Sequence, residues 1–135
     1  MKEWILRIVF TGLAIAFAAP ALTAYLTPQT LFQPIGIPLE GPDALAEIRA
    51  AYGGFFSLVT ALCAMAALRP ALRGLVLGLL TLLLGGFVLG RSLSWGIDGA
   101  ATLPVSVANF RLEAVALGIC LALLWWNRRD PAPTS

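Results

Sequence analysis

Residues 50–68, AAYGGFFSLVTALCAMAAL, carry no charged side chain and stand between Arg49 and Arg69. A helix rises 1.5 Å per residue, so this interval covers about 29 Å, close to the hydrocarbon thickness of a bilayer. Residues 74–90, GLVLGLLTLLLGGFVLG, repeat the arrangement between Arg73 and Arg91 and continue naturally to Trp95. A third such stretch, Ile8 to Leu26, follows Arg7 and is interrupted only by Pro20. The fourth runs from Pro104 to Asn127, ahead of Arg128 and Arg129, but is free of charge only from Ala114 onward. Arg111 and Glu113 therefore fall inside it. Four spans, at about 4–26, 44–68, 73–95 and 104–127, predict an all-α integral membrane four-helix bundle forming one membrane domain, with a tail at 128–135 that frays after Asp130.

Composition agrees with this reading and narrows the chemistry. Of 135 residues, 59% are hydrophobic and 12% charged, and the mean hydropathy is +0.88. A soluble domain carries about a quarter charged residues, so this chain lacks the material for a hydrated shell or a nucleic-acid surface. Histidine is absent, which excludes His-ligated haem, His-ligated zinc and any Ser-His or Cys-His nucleophile. Cys63 and Cys120 lie at similar depth in apolar surroundings and read as small apolar fillers that could touch, without the ligands for a metal site. No cofactor or metal is implied. A quinone or a lipid remains possible as a bound molecule.

Lys2 followed by an apolar run ending in ALTA at 21–24 also resembles a secretory signal peptide, but the run reaches full spanning length, which favours a retained first helix. Lys2, Arg7, the Arg69–Arg73 turn and Arg128–Arg129 fall on one side, and the opposite connections hold Glu40, Asp43 and Asp98 without Lys or Arg. The positive-inside rule then places both termini in the cytoplasm, with Trp4 and Trp125–Trp126 at the inner interface and Tyr25 and Trp95 at the outer one. The connection at 27–43, TPQTLFQPIGIPLEGPD, has four prolines together with Leu31, Phe32, Ile35 and Ile37. Proline fixes φ and removes a donor, so the expectation is a non-helical, ordered cap with its apolar residues packed onto the outer mouth.

Lipid tails provide no hydrophobic drive between helices, so close approach depends on small residues and polar contacts. Gly53 and Gly54, Gly86 and Gly90, and Gly118 are the candidate close-packing positions, serving either an internal neighbour or a homo-oligomer face. Ionisable groups gather toward the outer ends of the spans: Glu47, Asp98 and Glu113 against Arg49, Arg91 and Arg111, with Tyr52 one turn from Arg49. Counted back from Arg128, Glu113 lies about 22 Å from the inner interface, deep enough to require a partner or a proton. Arginine can hold a carboxylate through two hydrogen bonds, which makes Arg49 or Arg91 the expected partner of Glu113. Such a balanced set either locks helices two, three and four together or forms a ligand pocket for an anion, a lipid headgroup or a quinone.

The string Ala46-Glu47-Ile48-Arg49-Ala50-Ala51-Tyr52-Gly53-Gly54, followed by Arg91, Asp98-Gly99 and Glu113, resembles the bacterial family labelled domain of unknown function 4345. The resemblance implies a small four-helix inner-membrane protein without an assigned activity. A looser likeness, in helix count and size, connects it to the DoxX and DoxD-like group, some of which are membrane subunits of quinone-linked oxidoreductases. The expected function is a non-enzymatic membrane component binding a lipid, a quinone or a partner subunit at the outer charged site. The alternative is a small-solute transporter or a redox-enzyme subunit, which the lack of an acidic path through the inner halves disfavours.

Overall fold

The computed structural model describes residues 2–129, with side chains for residues 3–127. The described residues are helical apart from short connections, and four helices are long and apolar enough to cross a membrane: Glu3–Leu26, Gly41–Leu68, Pro70–Asp98 and Pro104–Asn127. At most 28% of any spanning window is buried within the protein. Leu22, Leu58, Leu82, Ile97 and Leu112 are among the large apolar side chains that face outward. An apolar exterior of this extent needs lipid around it. The protein is a multi-pass, all-α membrane protein. The tail beyond Arg129 lies outside the described residues.

By internal packing the chain divides into two compact units, Met1–Leu72 and Arg73–Ser135. In the first, the spanning helix Lys2–Leu26 packs along the helix that starts at Gly41 and ends at Leu68. Ala21, Ala24, Val59, Cys63, Ala66 and Ala67 are buried here, and the Phe17 and Phe56 rings stack with centroids 6.2 Å apart. Small residues on both helices permit this close approach. The second helix ends where Pro70 forces the preceding Arg69 into an extended conformation, φ −120° and ψ 99°.

The connection at 27–43 corrects the expectation of a non-helical cap. Gln29–Phe32 is a short α-helical turn and Gln33–Ile35 a 3₁₀ turn. Pro28 occupies the N-cap of the first and Pro34 the start of the second. Proline is tolerated at these positions because the N–H it lacks would have no helical partner. Gly36, at φ 74°, closes the segment: its N–H donates to the Gln33 carbonyl and that of Ile37 to the Phe32 carbonyl. This is the paired Schellman pattern, for which a left-handed glycine is suited. Pro28 and Phe32 are buried, while Ile37 is exposed, so only part of the apolar content of the segment is packed. Helix resumes at Gly41, with Pro42 in its first turn.

In the second unit, Arg73–Asp98 and Pro104–Arg129 pack against each other. Val76, Leu77, Leu80, Leu84 and Cys120 are buried. Gly99, at φ 93°, ends the first of these helices in the left-handed conformation that a side chain would resist. Cys63 and Cys120, one in each unit, are both buried and form no disulfide among the described residues.

Candidate functional site

The segment Arg49–Gly54, RAAYGG, is a π-helical turn within the Gly41–Leu68 helix. A π turn inserts an extra residue into the helical ladder and is found disproportionately at functional positions. Two adjacent glycines make such a widening less costly, since they carry no side chain to crowd the turn. Gly53 is buried, and a Cβ placed on it would lie 2.7 Å from Cε1 of Tyr25. The Tyr25 ring thus occupies the room that the missing side chain leaves. Its hydroxyl accepts a hydrogen bond from the Ser57 hydroxyl at 3.4 Å.

Arg49 Nε donates to the Tyr25 carbonyl at 3.1 Å. That carbonyl belongs to the last turn of the first helix, where carbonyls lack helical partners and the dipole is negative, so a guanidinium there is doubly favoured. Tyr52 meets Phe32 edge-on, with centroids 4.9 Å apart, which seats the short 29–35 segment on the π turn. Glu47 is exposed, and residues two apart on a helix point to different sides, so it does not share the Arg49 face.

The second unit contains the intramembrane ion pair. Arg91 Nε donates to Glu113 Oε2 at 2.7 Å, and Arg91 Nη2 donates to Glu113 Oε1 at 3.0 Å. Two parallel charge-assisted bonds of this kind form the strongest side-chain geometry available to a carboxylate. Arg91 is one of the two partners expected for Glu113. The pair lies well inside its helices: Arg91 is about 10 Å before Asp98 and Glu113 about 14 Å beyond Pro104. Side-chain accessibility is 36% for Arg91 and 16% for Glu113, so Glu113 is the more enclosed partner. One turn toward the 99–103 connection, Trp95 and Phe110 pack with ring centroids 4.5 Å apart. By helix spacing these rings stand beside the pair, on the same faces as Arg91 and Glu113.

Of the six charges read from the sequence as one balanced set, Glu47 and Arg49 belong to the first unit and Arg91, Asp98, Arg111 and Glu113 to the second, where Arg91 and Glu113 are joined. Asp98 accepts a hydrogen bond from the Ser94 hydroxyl at 3.2 Å, two turns from Arg91. Arg111 is exposed and, at two residues from Glu113, projects from another side of the helix. The close-packing positions divide as well. Gly53 meets a ring, whereas a Cβ on Gly54, Gly86, Gly90 or Gly118 would meet nothing within 4 Å. Tyr25, Phe32, Trp95 and Phe110 were not among the expected site residues. Of these, Trp95 and Phe110 could have been found from helix spacing, since they stand four and three residues from Arg91 and Glu113.

No match to this chain was found among curated proteins or among solved structures. The looser likeness to the DoxX and DoxD-like group gains no support. The family model described as Domain of unknown function (DUF4345) matches residues 5–127, a range that includes the π turn, the Arg91–Glu113 pair and all four spans. The chain belongs to that family.

Proposed function

We propose that the protein is a non-enzymatic binding component of a bacterial inner membrane, with both termini cytoplasmic, that takes a lipid headgroup or a quinone at the Arg91–Glu113 site. The observation that carries this reading is the bidentate pair in the span, in which the Arg91 side chain is 36% accessible and that of Glu113 16%. Glu113 fixes the orientation of Arg91, and the partly accessible Arg91 side chain presents an oriented positive charge at a depth where few molecules other than membrane amphiphiles reach. Trp95 and Phe110 supply an apolar, aromatic wall beside it, suited to the flat ring of a quinone or the glycerol region of a lipid. No acidic residue continues inward from Glu113, so the site binds rather than relays protons.

Native mass spectrometry of gently solubilised protein tests this directly. The wild type is expected to retain an adduct with the mass of a lipid or quinone, and Arg91→Gln to lose most of it. Equal adduct on both proteins would refute the site. Retention of a second polypeptide in place of a small molecule would assign the site to a partner subunit instead.

A further inference from the structure

Along the face between its two spanning helices, the first unit has an open groove of about 360 Å³, lined by Thr11, Ala14, Ala18, Thr60, Ala64 and Ala67 among others. Both threonine hydroxyls are already committed, Thr11 donating to the Arg7 carbonyl and Thr60 to the Phe56 carbonyl. The groove therefore offers methyl groups and no uncommitted hydroxyl donor, which suits a hydrocarbon chain better than a peptide. From Thr11 to Ala18 it extends about 10 Å along the helix.

One end of this groove is basic. Arg7 lies one turn beyond Thr11 on the same helix face, and Arg69 directly follows Leu68, which also lines the groove. Both side chains are exposed. The Arg7 guanidinium rests over the Trp4 ring at 5.7 Å, at the level where an indole marks a membrane interface. Among the described residues neither arginine forms an ion pair with a carboxylate.

We propose that this groove is a binding site for an anionic phospholipid, one acyl chain lying along the alanine face and the phosphate held between Arg7 and Arg69. Charge selects this occupant over a second copy of the chain. A parallel copy would bring its own Arg7 and Arg69 to the same level, and like charges would then face one another. The site is separate from Arg91 and Glu113 in both sequence and unit, so it stands or falls independently of the function proposed above.

The test uses the full chain in nanodiscs of phosphatidylcholine with a rising fraction of phosphatidylglycerol, read by native mass spectrometry after release. The wild type is expected to keep one phosphatidylglycerol in preference to phosphatidylcholine. The double variant R7Q/R69Q should lose roughly thirtyfold in that preference, from two surface arginines each worth about fivefold. Ala64 is exposed, so Ala64→Leu fills the groove without entering a core and should remove the retained lipid whatever its headgroup. Equal retention of the two lipids by the wild type would overturn the proposal. So would unchanged retention in both variants, or a lipid-free dimer that Ala64→Leu dissociates.

Discussion

Replacing Arg91 by leucine is expected to lower the unfolding free energy in mild detergent by about 2 kcal/mol, because Glu113 is left in an apolar span without its fork. Removing one partner of a fully buried pair typically costs about 3–5 kcal/mol. The smaller figure applies because Arg91 retains 36% side-chain accessibility and solvent or headgroups already screen part of the interaction. The reciprocal change, Glu113→Leu, should cost less, about 1 kcal/mol, since a long arginine can redirect its charge toward the headgroups. The double variant R91L/E113L should recover most of the loss, because two apolar side chains remove the charge and its desolvation together. Equilibrium unfolding of the four proteins forms a double-mutant cycle. Strictly additive single effects would mean that the two bonds contribute no coupling.

Gly53→Leu should be the most damaging change in the first unit, at about 2 kcal/mol, in the range of small-to-large changes in packed sites. Its Cβ would lie 2.7 Å from Cε1 of Tyr25, and the added branches would drive the ring from the π turn. The hydroxyl contact with Ser57 would go with it. The neighbouring Gly54→Leu is the control, because a Cβ there meets nothing within 4 Å. It should change stability by only a few tenths of a kcal/mol, as surface substitutions do. Adding Tyr25→Ala to Gly53→Leu should restore part of the loss. Equal effects at Gly53 and Gly54, measured by denaturant unfolding in detergent, would show that the ring does not depend on the missing side chain.

The spans were legible because the bilayer acts as a ruler: charges at Arg49, Arg69, Arg73 and Arg91 bound intervals whose lengths match its core. The partner of Glu113 was legible to within two arginines, since depth alone demanded a countercharge. Arg111 was included in that site through its depth in the span and the balance of charges, although two-residue spacing already argues against a shared face with Glu113. The π turn was not legible, because local composition permits it while tertiary contact with Tyr25 occupies it. The prolines of 27–43 misled for a related reason. Their meaning depends on position within a turn, and the same residue that breaks a helix interior begins a helix at its first position.

The ion pair could serve stability alone or stability and recognition together, and exchanging its members separates the two. In the variant R91E/E113R the pair is kept but the guanidinium moves to the other helix, so thermal stability should stay within about 1 kcal/mol of the wild type while the retained adduct disappears, as expected when a directed donor is relocated. Measuring melting and native mass spectra on the same preparation gives both values at once. Loss of the adduct with melting preserved is the result expected of a binding site built on Arg91. Melting and adduct both preserved would contradict it, and would leave the pair as a lock between two helices.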